Sequence, residues 1–269
     1  MIVINEYNGV TCVEGKVVRT GRKIGTVYVF LVDGMLIDTG PQCLLEDFIP
    51  FYEQHSFDLV SLTHSHEDHS GCGSWIKKNK NVPIYVHEKG IQFCRQGATY
   101  PLYRQMTWGS KEPFQPIAIG EKIQSRTLEW EVIYTPGHAD DHVAFFNSET
   151  GKIFTGDLFV SPWTKVIMAS ESIQVIMNSI RHLLTYDFEC MFCSHAGYVK
   201  DGRKRLEQKL DYLEDISSKT LQLYKNGFTI EEINNQLFPK KYPIIEFSKG
   251  EWDSLHIITS IINEAEIKR

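Results

Sequence analysis

Thr63-His64-Ser65-His66-Glu67-Asp68-His69 follows the apolar run Phe57-Asp58-Leu59-Val60-Ser61-Leu62, which reads as a short buried strand. Three imidazoles and the Asp68 carboxylate fall within six residues. This is a dense set of donors for a divalent metal: zinc first, with iron, manganese or nickel accepting the same atoms. His64 and His66 are two apart, so on extended backbone they point the same way and can grip one ion. Asp68 and His69 lie past the strand end, where the chain turns, and can face a second. A strand end is also where functional loops of α/β folds sit.

Working outward, three more donors occupy similar positions. Thr135-Pro136-Gly137-His138 ends a strand at a tight turn, Thr155-Gly156-Asp157 ends another, and Ser194-His195-Ala196-Gly197 ends a third. Each follows an apolar run that can pack rigidly. Strand ends from two sheets can converge on one edge and hold a multinuclear site built from distant residues. Leu36-Ile37-Asp38-Thr39-Gly40-Pro41 adds a carboxylate before a Gly-Pro break.

The remaining pattern fits strands then helix, twice, with a helical tail. Val10–Val13, Lys16–Val18 and Thr26–Val32 carry β-branched and aromatic residues, and Asp33-Gly34 is a hairpin turn signal. Helical spacing over 44–54 is expected to kink or stop at Pro50. Strands are expected again at 83–87, 123–124, 128–134, 143–146, 152–155 and 190–193, and a helix over 170–186. Residues 97–116 are the least regular stretch, with Tyr100, Tyr103, Trp108 and Phe114 among Gly and Pro. So many aromatics call for cover, either against the domain body or as the wall of a pocket. From Gly202 the chain becomes charged and helical, and Thr229-Ile230-Glu231-Glu232 opens a helix with a capping box. We therefore expect a domain over 1–200 and a helical extension over 201–269.

Composition narrows the function classes. In 269 residues, 42% hydrophobic and 23% charged is ordinary for a soluble globular protein. A net charge of −6 gives no bulk attraction to nucleic acid or anionic membrane. A membrane span needs a run of ~18 apolar residues, and none is present. The N-terminus lacks the charged and apolar regions of a signal peptide, so a cytoplasmic location is expected. Cysteines 12, 43, 72, 94, 190 and 193 do not form a disulfide framework in so long a chain. Cys190-Met191-Phe192-Cys193 lies in a strand-like run, where buried reduced cysteines are expected rather than a redox pair or half a zinc site.

The H-x-H-x-D-H pattern, followed in order by His138, Asp157 and His195 and preceded by Asp38, resembles the metallo-β-lactamase superfamily. The match spans most of the first 200 residues. The resemblance implies an αββα sandwich, two mixed β-sheets face to face with helices outside. It implies that His64, His66 and His138 ligate one metal and that Asp68, His69 and His195 ligate a second. Asp157 would bridge both, and Asp38 would hydrogen-bond the ligand loop instead of a metal. His142, four residues past His138, is expected to have a structural role. The implied cofactors are two divalent ions, expected to be Zn2+, with iron or manganese as alternatives. Such ions, ~3.5–4 Å apart, can share one water and lower its pKa toward ~7. Asp68 could then orient the nucleophile or accept its proton.

The resemblance is closer to the glyoxalase II and endoribonuclease-like branches than to true β-lactamases, which usually lack the bridging aspartate and are usually exported. Lactone-opening relatives often carry tyrosine three residues after that aspartate, where this chain has Val160. The basic C-terminal cluster of glyoxalase II is not evident. Thr135–His142 and the tail around Tyr224–Ile233 resemble a subgroup related to a single-strand endoribonuclease, whose tail is winged-helix-like. Lys200, Arg203, Lys204 and Arg205 could meet phosphates or form a solvated helix start. We expect a dinuclear hydrolase acting on a small ester, thioester or lactone. A phosphodiesterase or endoribonuclease is the second reading, and a mononuclear iron persulfide oxygenase the third. The expected partner is a small molecule, with no membrane and with nucleic acid less favoured; the oligomeric state is left open.

Overall fold

Several strands have no polar face. In Thr26–Val32 the side chains of Val27, Val29, Phe30 and Val32 are all buried, and Val143–Asn147 is buried throughout. A strand covered on both faces belongs inside a layered structure, and the computed structural model, which describes residues 1–19 and 21–267, shows the layers. The first sheet has the order β1 (Ile2–Tyr7), β2 (Val10–Arg19), β3 (Arg22–Val32), β4 (Met35–Ile37), β5 (Leu59–Ser61), β6 (Ile84–Val86) and β7 (Ile117–Ala118). Its first four strands are antiparallel, and β4 to β7 run parallel. Asp33 and Gly34 have φ of 46° and 76°, the two positive values that a tight β3–β4 turn requires.

The second sheet comprises β8 (Lys122–Gln124), β9 (Glu129–Tyr134), β10 (Val143–Asn147), β11 (Lys152–Phe154), β13 (Cys190–Cys193) and β14 (Gly197–Val199). Its pairs are antiparallel except β11 with β13. A two-residue ribbon joins β12 (Ile167–Met168) to β15 (Trp252–Asp253).

Alternation along the strands divides the apolar residues among three cores. Phe30, Met35, Ile37, Val143, Phe145, Phe154 and Phe192 point between the sheets, around the buried Trp130. Their neighbours Val29 and Leu36 face outward onto helix α1 (Leu45–Gln54), which contributes Phe48, Phe51 and Tyr52. On the opposite outer face Ala144, Phe146, Ile153 and Met191 meet α6 (Ile173–Leu183) and the C-terminal helices. The result is the expected αββα sandwich of mixed sheets. Cys190 packs with the inter-sheet core and Cys193 with the outer one, so the two face apart; no disulfide joins the six cysteines.

The other helices are α2 (Glu67–Ser70), α3 (Gly73–Asn79), α4 (Ile91–Arg95), α5 (Leu102–Trp108), α7 (Gly202–Lys225), α8 (Ile230–Leu237), α9 (Pro243–Phe247) and α10 (Leu255–Ile267). Two expectations need correction. Helix α1 runs through Pro50, because Pro50 and the Glu46 carbonyl it leaves unpaired lie on the exposed side, where water serves the oxygen. The irregular stretch 97–116 contains α5, which has no fully buried residue and so lacks an apolar stripe to announce it. The capping box at Thr229 and Glu232 is present.

Leu206, Leu213, Ile216, Ile233, Ile257, Ile258, Ile261 and Ile262 of the C-terminal helices share one core with Ile153, Ile173, Ile176 and Ile180. Helices α7, α8 and α10 thus belong to the outer helical layer of the second sheet. Among the described residues, no helix is long and apolar enough to cross a membrane.

Trp130 gives the inter-sheet core its test. It is fully buried, its ring lies 5.6 Å from that of Phe154, and it donates from Nε1 to Ser125 Oγ at 3.0 Å. Trp130→Ala is expected to lose about 3–5 kcal/mol of stability, read as a lower urea midpoint with an unchanged slope.

Candidate metal centre

The candidate ligands sit where strands stop. His64 follows β5, His138 follows β9, Asp157 follows β11 and His195 follows β13, all on one rim of the sandwich. Thr63 O accepts from Val143 N at 2.8 Å, and Ser194 N donates to Gly156 O at 3.0 Å, so the strand ends are cross-linked by backbone bonds.

Asp38, at the end of β4, ties three of these segments together. Its Oδ1 accepts from Thr63 N at 2.8 Å, and its Oδ2 accepts from His69 Nδ1 at 2.9 Å and Ser194 Oγ at 3.0 Å. Asp38 is fully buried and adopts a φ of 60°, a conformation aspartate tolerates better than most residues. It holds ligand loops and lies in neither ligand group.

All seven expected ligands come together, in two groups. In the first, His64 Nε2 lies 3.0 Å from His66 Nδ1, which lies 3.1 Å from His138 Nε2. Ligands around a tetrahedral zinc at ~2.0–2.1 Å lie about 3.3 Å apart, so this spacing suits one ion. The tautomers suit it too. His64 Nδ1 faces Thr63 Oγ1 at 3.1 Å and His138 Nδ1 faces Glu171 Oε2 at 3.2 Å, leaving both Nε2 lone pairs turned to the group.

The second group is Asp68, His69, Asp157 and His195, with ligand atoms all within 4.8 Å of one another. His195 Nδ1 donates to Thr26 O at 2.6 Å, and its Nε2 lies 3.3 Å from Asp68 Oδ2 and 3.0 Å from Asp157 Oδ2. Asp157 Oδ2 also lies 3.5 Å from His138 Nε2, so this carboxylate reaches both groups. His69 Nε2 and Asp157 Oδ1 are buried without a hydrogen-bond partner. Buried polar atoms are rarely left so, and a cation between them would satisfy both. The residues fit a metal pair.

Electrostatics separates the groups. Burial, then the neighbouring imidazoles, holds His64 and His66 well below the ordinary histidine range, so both stay neutral and free to donate a lone pair. Burial would lower His69 and His195 as well, but the Asp68 and Asp157 carboxylates outweigh it and raise both well above that range. The carboxylates resist burial in the same way: His69 and His195 hold Asp68 and Asp157 well below the ordinary carboxylate range. The second group is thus a concentration of negative charge that draws positive charge to itself.

His142 is fully buried and belongs to neither ligand group. Its Nε2 accepts from Asp157 N at 3.0 Å and its Nδ1 meets Thr135 Oγ1 at 2.8 Å. Burial pushes it down to about 3, consistent with a neutral ring that positions Asp157. Sequence reasoning missed Glu171 altogether. It lies 33 residues past His138 and has no motif around it, yet it orients that ring and accepts from Met168 N at 2.9 Å.

A cavity of about 520 Å³ opens over the two groups, with His66, Asp68, His138, Asp157 and His195 in its wall. The aromatic stretch divides between its two expected roles. Tyr100 and Phe114 are buried in the body, whereas Tyr103 and Trp108 on α5 line the cavity. Arg104 on the same helix clamps Glu67 through Nε and Nη2 at 2.6 and 2.8 Å, fixing α5 to the ligand loop. Trp163, Ile167, Met168, Ile176 and Ile244 make the rest largely apolar. In the basic cluster, Arg203 donates to Leu184 O and Tyr186 O and lies over the Phe188 ring, so it closes the end of α6. Lys200, Lys204 and Arg205 are exposed.

Residues 23–195 match the family model described as the metallo-beta-lactamase superfamily. The chain belongs to the metallo-β-lactamase superfamily. Among its superfamily relatives, a beta-lactamase-like protein 2 homolog of Drosophila melanogaster is 26% identical over 196 residues, 71% of this chain and 64% of that protein. The chain thus spans under two thirds of that relative's length. A hydroxyacylglutathione hydrolase of Pseudoalteromonas translucida is 25% identical over 233 residues, covering 78% of this chain and 82% of that protein. In fold, the chain is similar to a metallo-beta-lactamase family protein of Thermus thermophilus, with a TM-score of 0.70, 20% identity, and 96% and 95% of the two chains covered.

Gly156 is the sharpest test of the packing behind this superfamily site. Its φ is 49°, and an added Cβ would meet His142 Nε2 at 2.5 Å and Thr63 Cβ at 2.9 Å. Gly156→Ala is expected to lower bound divalent metal, measured by atomic emission after gel filtration, and to cost at least about 1 kcal/mol. Gly9→Ala, at a φ of 73° with nothing nearby, is expected to cost stability and leave metal content unchanged.

Proposed function

We propose that the chain is a dinuclear metal-dependent hydrolase of a small ester, thioester or lactone. The observation that carries this reading is Asp157 Oδ2, 3.5 Å from His138 Nε2 of one group and 3.0 Å from His195 Nε2 of the other, at the wall of an apolar cavity. His64, His66 and His138 would hold one ion, Asp68, His69 and His195 the second, and Asp157 both. Divalent ions at these positions, zinc by preference for the nitrogen-rich first group, would supply a hydroxide nucleophile at neutral pH and take up charge on a developing oxyanion.

The chain's own residues supply the remainder. Asp68 lines the cavity and can orient the nucleophile or accept its proton. Tyr103, Trp108 and Trp163 offer an apolar seat for the acyl part and exclude water around the reacting carbon. Val160 occupies the position after the bridging carboxylate where lactone-opening relatives often place tyrosine, so no phenol reaches over the substrate carbonyl there. The cavity volume suits a small molecule, and a relative named hydroxyacylglutathione hydrolase supports attack at an acyl carbon.

On one zinc-loaded preparation, we expect a 4-nitrophenyl ester or an acyl thioester to be cleaved at least a hundredfold faster than bis(4-nitrophenyl) phosphate. A phosphodiester preference would replace this reading with the nuclease-like one. Asp157→Ala is expected to lose at least one equivalent of metal and most turnover, with the circular dichroism spectrum retained. Full activity in that variant would overturn the bridged pair.

A further inference from the structure

The wall of the cavity contributed by α7 contains a lysine. Lys209 is 6% exposed, yet it lies among the residues that line the cavity. Its Nζ donates to Phe159 O at 2.7 Å, two residues past Asp157. An ammonium has three donors, and no other acceptor meets Lys209 Nζ among the described residues. No carboxylate pairs with it at ion-pair distance either. A buried cation with spare donors and no counter-ion is a costly arrangement. It is retained most simply where an acceptor arrives with the ligand.

Of the other basic side chains of the cavity, one is engaged by carboxylates and one is exposed. Arg104 is held by Glu67 on one side and Glu251 on the other. Lys165 is exposed and lies over the Tyr242 ring at 5.6 Å. Lys209 is thus the buried lysine of the cavity wall, with donors to spare and no water around it to take them. Burial pulls its ammonium down to about 8, while Cys193, Glu171 and Asp157 act in the opposite direction. Asp157 and Glu171 are themselves cavity residues, so Lys209 shares the cavity wall with the candidate ligands.

We infer that Lys209 forms an anion subsite in the wall of the catalytic cavity, and that the substrate carries a carboxylate in addition to its scissile acyl group. Two spare N–H donors can make charge-assisted hydrogen bonds to the two oxygens of one carboxylate. The metal centre then receives the acyl carbon while Lys209 fixes the other end. Apolar walls between them suit a short hydrocarbon spacer. The acyl part of this inference rests on the hydrolase reading above; the anion subsite does not.

The test compares mono-4-nitrophenyl adipate with 4-nitrophenyl hexanoate, which match in chain length and leaving group and differ in the terminal carboxylate. In the wild-type enzyme kcat/KM is expected to favour the adipate ester at least tenfold, mainly through KM. Lys209→Met is expected to abolish the preference at unchanged metal content, and Lys209→Arg to keep part of it. A lysine that merely holds Phe159 in place would lower both esters alike, and an unchanged ratio in Lys209→Met would overturn the subsite. Absence of preference in the wild-type enzyme would do the same without any variant. If neither ester is cleaved, the acyl-hydrolase reading fails separately. Calorimetric titration with hexanoate against hexanamide then decides: tighter hexanoate binding in wild type than in Lys209→Met upholds the subsite, and equal binding rejects it.

Discussion

One buried carboxylate holds the rim of this sandwich together. Asp38 accepts hydrogen bonds from Thr63 of the ligand loop, from the His69 ring and from Ser194 at the end of β13. Thr63 and Asp38 belong to the first sheet's rim and Ser194 to the second's, so this side chain adds to the backbone bonds from Val143 N to Thr63 O and from Tyr28 N to Ser194 O that register the two sheets. Charge-assisted bonds of this type are stronger than neutral ones. Removing the group would strand three buried donors at once. A metal centre whose ligand atoms must agree within a few tenths of an ångström needs such a constraint, because each ligand comes from a different strand end. His142 performs the same service for Asp157, and Glu171 for His138. Side chains that lie in neither ligand group therefore position the atoms of both.

The sequence made the two groups of candidate ligands legible for a physical reason. Ligands at strand ends follow apolar runs of period two, and imidazoles are scarce enough that three in six residues stand out. The strands were legible too, since those such as Val143–Asn147, buried on both faces, read as continuous apolar segments, while their arrangement as a sandwich was implied by the family resemblance. Glu171 was not, because a lone carboxylate 33 residues from the histidine it orients has no periodicity or neighbour to mark it. Helix α5 was lost for the opposite reason: its face is a cavity wall, so its apolar residues do not repeat as a buried stripe. Pro50 misled because the cost of a proline in a helix depends on whether water can reach the carbonyl it orphans, and exposure is a property of the folded chain.

Lys209 shows the same limit from another side. Along α7 it sits among Gln208, Lys204 and Arg205, and nothing in that pattern distinguishes a buried lysine from a solvated one. Packing of α7 against the second sheet makes the distinction. The helix face that carries Leu206, Leu213 and Ile216 turns inward, and Lys209, three residues from Leu206, turns with it. The C-terminal helices are thus both part of the core and part of the cavity, and the choice of ligand is coupled to the way they dock.

This coupling separates two layers of function. The metal centre is built by strand ends whose geometry follows from sheet registry and from a few buried hydrogen bonds. The cavity above it is built by α5, by the segment from Leu158 to Met168, by the β12–β15 ribbon and by α7, none of which carries a sequence motif. Arg104 links the two layers. It grips Glu67 of the ligand loop and Glu251 beside the ribbon, so the wall is fastened to the metal centre through one guanidinium. Chemistry can then stay fixed while the wall varies, which is why the reaction class reads from residues 38–195 and the substrate has to be read from side chains that only the folded chain brings together.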